Sequence, residues 1–151
     1  MPATETPVNS CAVVVHLADE NDVLKDISGS AASANMDFTQ DAETYTVFGS
    51  PGTQRMVCRS DSTLSMSVVY STAADEGYDI VKQWWFNAAY RKLPRNVRIM
   101  VPDDSIGADD YQGSFYLTNL TIPLNSEQAG PIMVAVELAV NGEVTLSTVA
   151  T

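Results

Sequence analysis

Three side chains in this sequence carry the chemistry that catalysis or zinc binding most often uses: Cys11, His16 and Cys58. A nucleophilic triad places a histidine beside a nucleophile and an orienting acid. A zinc site needs several cysteine or histidine ligands, usually in closely spaced pairs. His16 lies instead in CAVVVHL, a valine-rich stretch typical of a packed β-strand, and the cysteines are far apart in the chain. These residues predict neither a catalytic base nor a metal site.

The densest group of carboxylates is the stretch PDDSIGADD at 102–110. A calcium-binding loop needs oxygen ligands at alternate positions and a later glutamate, and this stretch does not have that spacing. No glycine-rich loop precedes the predicted helix, so no phosphate-binding cradle is visible. We interpret 102–110 as a solvated loop and predict that the protein is not an enzyme and uses no cofactor.

The 151 residues fit one domain. The N-terminal MPATETPVNS has neither the positive charge nor the apolar segment of a signal peptide, so we expect the two cysteines to be free thiols. Its prolines and small polar residues predict a flexible arm over residues 1–11. Apolar runs are far shorter than the ~20 residues that span a bilayer, and no membrane contact is expected.

The chain is acidic, with a net charge of −11, but its basic residues are clustered. Five of the eight lie in the segment 82–98, which contains no aspartate or glutamate. Two interpretations stay open. The segment is one basic patch on a soluble domain, or it belongs to a surface that meets an acidic copy of the same chain while the rest repels a polyanion.

Two periodicities predict the main elements. In LSMSVVY at 64–70, apolar residues alternate with serines, which indicates a strand with one buried face. In 75–92 the apolar residues recur at helical spacing, and Pro94 follows as a stop signal. We predict one packed helix there, in which the apolar stripe containing Ile80, Trp84 and Trp85 lies in the core or at an interface.

The end of the chain alternates strictly over 132–140 and is followed by Asn141-Gly142. Asn-Gly between two alternating segments is a strong signal for a β-hairpin, because both turn residues need positive φ. We therefore predict a closing hairpin. The whole pattern predicts a mainly β protein: an antiparallel sandwich or barrel of about seven to eight strands with one packed α-helix.

The order of these elements resembles the major tail tube proteins of long-tailed, siphovirus-like bacteriophages. The resemblance covers about residues 12–149 and is carried by the loop TVFGSPGTQRM, the serine-alternating strand, the tryptophan-bearing helix, the strand RNVRIMVP, the pair YQGSFYLTNLTIPL and the closing NGEVTL. It implies a structural virion protein that forms hexameric rings, stacked into a hollow tube through which DNA leaves without specific binding. It implies assembly in the host cytoplasm, a final location in the virion tail, and the tape measure, tail terminator and baseplate as further partners.

The resemblance also implies a long inter-ring loop at about 39–59, within which Tyr45, Val47, Phe48 and Arg55 would contact a neighbouring ring. That role would explain why the segment FTQDAETYTVFGS at 38–50 contains aromatic residues although it is too polar for the core. The basic residues would then lie outside the lumen, against acidic neighbours. This inter-subunit charge patch comprises Arg91, Lys92, Arg95 and Arg98.

Three alternatives remain at this stage. The chain is a related tube or terminator component, such as a tail terminator or a tube protein like that of type VI secretion. It is a β-sandwich ligand-binding module, which would need Trp84 and Trp85 on a concave surface. Or it is an enzyme, which would need an ordered pocket around His16.

Overall fold

The computed structural model describes residues 12–19, 21–49, 51–127 and 129–150; the predicted N-terminal arm at 1–11, and Cys11 with it, lies outside them. Alternating segments form eight strands and the segment of helical period forms two short helices. In chain order they are β1 Val14–Ala18, β2 Leu24–Asp26, β3 Ala31–Tyr45, β4 Gln54–Val69, α1 Gly77–Phe86, α2 Ala88–Arg91, β5 Arg95–Val101, β6 Asp109–Thr121, β7 Met133–Val140 and β8 Thr145–Thr148.

All eight strands belong to one antiparallel sheet with the order β2-β1-β5-β6-β7-β4-β3, and β8 pairs with β6. The mainly β, antiparallel fold class with a packed helix is confirmed. The sheet is open rather than closed into a barrel, because β2 and β3 end it on opposite sides without pairing to each other.

One face of the sheet is covered by α1. The apolar side chains of β1, β4, β5 and β7 that alternate toward this face pack with Tyr78, Ile80, Val81 and Trp84 in a single core. The indole N–H of Trp84 donates to the carbonyl oxygen of Ala18 at 2.8 Å, which satisfies its only polar atom. The strand Leu64–Val69 therefore has the buried apolar face and the serine face that its alternation predicts.

The helix predicted over 75–92 is interrupted at Asn87. The Asn87 backbone is extended, and its side-chain oxygen accepts a hydrogen bond from the Ala89 N–H, so Asn87 ends α1 and begins α2. Asparagine competes for backbone groups in this way and favours caps over helix interiors. At the other end, Ser30 Oγ accepts from the Gly77 N–H at 2.9 Å, a cap from a distant loop that no local spacing indicates.

The predicted closing hairpin is wrong. β7 is paired on both edges, with β4 and with β6, and has no free edge for β8. β8 instead continues along the same edge of β6 that β7 occupies: Phe115 pairs with Val140 and Gln112 with Thr145. Asn141-Gly142 lies in the interruption between them, where the Asn141 N–H donates to the Ser114 oxygen and Gly142 has φ 94°. The positive φ of Gly142, which favoured a hairpin turn, instead occurs in a bulge-like break between β7 and β8, which follow one another along β6.

The segment predicted as a long loop at about 39–59 belongs largely to an extended β-hairpin. β3 and β4 pair along almost their whole length. Ala31 lies opposite Val68 at one end, and Tyr45 lies opposite Gln54 at the other. β7 accompanies β4 only as far as Thr63, opposite Ala139. The nine residues of β4 beyond Thr63, with the matching part of β3, therefore project past β7 by about 30 Å at the rise of ~3.3 Å per residue typical of strands. We call residues 38–61 the arm.

Candidate functional site

The arm exposes apolar side chains that have no place in the core. Six are at least 45% exposed, and Phe48 at the turn is fully exposed: Phe38, Tyr45, Val47, Phe48, Met56 and Val57. An isolated two-stranded ribbon is marginally stable in water, because it has no third element on which to bury its apolar residues. The predicted contact residues Tyr45, Val47, Phe48 and Arg55 all lie at the distal, exposed end of the arm.

A register shift divides the arm near its middle. Asp41 pairs with Arg59, but the next residue, Ala42, pairs with Val57, so Cys58 is the extra residue of the bulge. Cys58 is an exposed, free thiol. Bulges increase local twist and redirect the strands beyond them, so the tip of the arm is turned relative to its base.

The face of the sheet opposite α1 is open over β6, β7, β4 and β3. The strand register sets residues of β6, β7, β4 and β3 side by side across this face. One such row is Asn119, Glu137, Ser65 and Asn35, and another is Tyr116, Ala139, Thr63 and Asp37. We call this surface the open face. It consists of Ser33, Asn35, Asp37, Thr63, Ser65, Ser67, Tyr116, Asn119, Thr121, Ala135, Glu137 and Ala139. It is polar and made of mostly small side chains; its two charges are both negative, and it includes no lysine or arginine.

At the β1–β5–β6 end of the same sheet face, an ion pair replaces the small polar residues. Arg98 Nε and Nη2 donate to the carboxylate of Asp110 at 2.9–3.1 Å, and Gln112 Nε2 donates to it at 2.8 Å. Burial by itself raises the pKa of Asp110, but the hydrogen bonds from Arg98 and Gln112 and the positive charge of Arg98 outweigh it, and the pKa is lowered. His16 is opposite Arg98 on one edge of β1 and opposite Asp26 on the other.

Arg95 is used inside the subunit. Its side chain is buried, one guanidinium N–H donates to the carbonyl oxygen of Asp19, and the guanidinium lies 4.7 Å from the ring centroid of Tyr90. Because residues three apart on a strand face opposite sides, Arg95 points to the α1 side of β5 and Arg98 to the other.

The predicted charge patch is therefore divided. Arg91, the last residue of α2, and Lys92 are exposed. The Arg91 guanidinium lies 5.3 Å from the ring centroid of Trp85, and its Nε–H donates to the Trp85 carbonyl oxygen. Arg95 and Arg98 are taken up by the internal contacts just described. The structure does not bring these four cations together on one surface.

The stripe of α1 separates into two environments. Ile80 and Trp84 are each 1% exposed and belong to the core. Trp85 is only partly buried, and the adjacent Phe86 is 63% exposed. The sequence analysis did not predict the exposed position of Phe86. This residue follows Trp85 and directly precedes Asn87, where the helix ends.

Within the described ranges, no group of three or more histidine, cysteine or acidic side chains is arranged to hold a metal ion. Among the same residues, no helix combines the length and apolarity needed to cross a bilayer.

Comparison with solved structures places the fold. The chain matches the tail of an empty gene transfer agent particle refined with C6 symmetry: TM-score 0.70, 16% identity, 93% of this chain and 99% of the other. It matches the SPP1 tail tube with a TM-score of 0.73, 10% identity, and coverage of 94% and 80%. It matches a sheath-tube complex of the extracellular contractile injection system PVC with a TM-score of 0.69, 18% identity, and coverage of 96% and 94%.

Neither a protein-family model nor a curated protein sequence matches the chain. At 10–18% identity the three structural matches show the fold alone. The chain has the fold of the tube proteins in phage-like tails and contractile injection systems, as the resemblance implied.

Proposed function

We propose that this protein is a tail tube subunit, which forms hexameric rings that stack into a hollow tube for the passage of DNA. The observation that carries the proposal is an arm with exposed apolar residues, projecting from a body whose fold is shared with tube subunits. One of those neighbours comes from a tail with C6 symmetry, which supports six subunits per ring. The role is structural, in the virion tail, alongside the tape measure, terminator and baseplate.

The arm supplies the contact between rings in this proposal. Fully burying one large apolar side chain contributes roughly 1.5–3 kcal/mol, and the arm offers several that its own subunit leaves exposed. Six arms per ring act together, so the rings associate far more strongly than a single pair of subunits does.

The open face lines the lumen in this proposal, and Asp37 and Glu137 are its inward-facing acids. Proteins hold DNA through lysine and arginine contacts to phosphate, and the open face contains neither residue. Six copies form a small-residue, negatively charged wall along which a polyanion slides without adhering.

Electron microscopy of the purified protein tests the assembly. We expect hollow tubes with six-fold end views. The matched control replaces residues 42–58 by Asn-Gly, which joins Asp41 to its partner Arg59 through a two-residue turn. This variant keeps the body and should form no tubes. A wild-type chain that stays strictly monomeric across micromolar concentrations contradicts the proposal.

A charge reversal tests the lumen. Glu137→Lys on the open face should make assembled tubes retain short double-stranded DNA at low salt at least about tenfold more strongly than wild-type tubes, with the gain lost as salt rises. Asp104→Lys changes the charge equally at an exposed loop position and is the control. Equal DNA retention by both variants would place the open face outside the lumen.

A further inference from the structure

The tip of the arm and the β6–β7 loop lie at opposite ends of the sheet. Along β4, Val69 pairs with Met133, the first residue of β7, whereas Gln54 at the far end pairs with Tyr45 next to the tip. From Val69 to Gln54 the strand covers about 50 Å at ~3.3 Å per residue. In subunits stacked in one orientation along the strands, the tip of one copy therefore approaches the loop end of the next.

The loop end contains a cavity. Residues 123–126 and 130–133, in the connection from β6 to β7 and at the start of β7, line a cavity of about 510 Å³, and its apolar lining includes Pro123, Leu124, Pro131 and Ile132. Leu124 is 78% exposed there. A proline-bordered concavity with an exposed leucine is suited to receive a large apolar side chain. Phe48, the fully exposed residue at the tip, is such a side chain.

The charges of the two ends are complementary. Arg55 is the one charged residue of the segment 44–55 at the tip. Glu127 is the one charged residue of the segment 120–136 at the loop end. Both are exposed. In a chain of net charge −11, an arm tip that is positive and acid-free avoids repulsion by the copy it meets, and a lone glutamate opposite it specifies the register.

Two other cavities suit the tip less well. One cavity of about 500 Å³ lies at the base of the arm and is lined by residues 38–40, 60–62 and 143–144. When copies are stacked in one orientation, the tip of the neighbouring arm does not reach this position. A smaller cavity of about 330 Å³, lined by Val13, Val15, Ser28 and residues 31–34, offers less room for a phenyl ring.

We propose that Phe48 of one copy inserts into the β6–β7 loop cavity of a copy in the adjacent ring, with Arg55 opposite Glu127. This rests on the proposed tube function and adds the receiving site. The contact joins two different surfaces of identical subunits, and a head-to-tail contact that does not close propagates without limit. It is the kind of contact that makes an open-ended stack.

A charge swap tests the ion pair. Arg55→Glu and Glu127→Arg should each raise the critical concentration for tube formation by about tenfold, because like charges then face each other at six contacts per ring. The double variant should return to within about twofold of wild type. Double-variant tubes no better than the single variants, with folding intact by circular dichroism, would overturn the pairing.

Disulfide trapping tests the cavity. In a Cys11→Ser, Cys58→Ser background, Phe48→Cys with Leu124→Cys should yield a ladder of covalent multimers on oxidation of tubes, since each copy links to two others; a disulfide needs Cα atoms about 4.4–6.8 Å apart. Each single cysteine should give dimers at most. The control pair, Phe48→Cys with Leu146→Cys, uses a side chain that is also exposed but lies on β8.

The outcomes separate the two proposals. Assembled tubes of the Phe48→Cys, Leu124→Cys variant that give no ladder, or a ladder equal to that of the control pair, overturn the receiving site and leave the tube function standing. A wild-type protein that forms no tubes overturns both.

Discussion

The strand β4 passes through two environments, and the contrast between its halves separates the parts of the molecule. In the half from Leu64 to Val69, Leu64, Met66 and Val68 are at most 4% exposed, with β3 on one edge and β7 on the other. In the half from Gln54 to Asp61, Met56 and Val57 are each 56% exposed and β3 is the one paired neighbour among the described residues.

Both halves of β4 contain apolar residues, so composition does not explain their different exposure. The cause is the number of elements that pack against each half. A strand between two others and beneath a helix buries one face completely, whereas a strand in a two-stranded ribbon has nowhere to do so. The body therefore stabilises itself, and the arm carries apolar surface that only another molecule can cover.

Amide exchange should show the largest contrast between the halves. We expect amides of Leu64–Val69 to exchange only through global unfolding, and those of the arm through local opening, so that the rates differ by at least about a thousandfold in the free subunit. Assembly should slow exchange in the arm. Equal protection of both halves in the free subunit would mean that the arm packs on its own body.

Core truncation should show the next largest contrast. Leu64→Ala leaves a cavity under α1 and should lower the free energy of unfolding by about 3–5 kcal/mol. Met56→Ala, in the arm half of the same strand, should lower it by less than about 1 kcal/mol. Denaturant unfolding of the free subunit measures both, and similar losses would show that the arm belongs to the cooperative core.

The Arg98–Asp110 pair tests the body from its polar side. Because the pKa of Asp110 is lowered on folding, the stability it contributes is present above its unfolded pKa, near 4, and is lost as pH falls through the folded value. Asp110→Asn should reduce the free energy of unfolding by about 2 kcal/mol at neutral pH and weaken its acid dependence. Asp104→Asn, which removes a carboxylate at an exposed position, is the control.

The smallest expected effect on folding is at the arm tip. Phe48→Ala should change the free energy of unfolding by no more than about 0.5 kcal/mol, because the fully exposed ring has no contact in the subunit to lose. The same substitution should nevertheless impair tube formation, which sedimentation of the assembled fraction would measure. A variant that unfolds markedly more easily would place Phe48 in a contact of its own subunit.

The sequence predicted which side chains face the core in β4 and in the first turns of α1. The serine alternation of 64–70 gives both the buried and the open face of β4, and the helical spacing of Ile80 and Trp84 places both against the sheet. These predictions succeed because the direction of a side chain depends on local backbone geometry, which a repeating pattern records. The exposed position of Tyr45 and Phe48 had a different origin, since the resemblance to tail tube proteins implied it and no regular period did.

Which elements pair, and which charges remain free, depends on contacts between segments that are distant in sequence. Asn141-Gly142 reads locally as a hairpin turn, yet both edges of β7 are taken and β8 must continue along β6. Arg95 and Arg98 read as one basic cluster, yet groups distant in sequence engage both, since the backbone oxygen of Asp19 accepts from Arg95 and the carboxylate of Asp110 accepts from Arg98. Strand pairing and ion pairing depend on which distant groups arrive at the same place, and a local pattern contains no record of that.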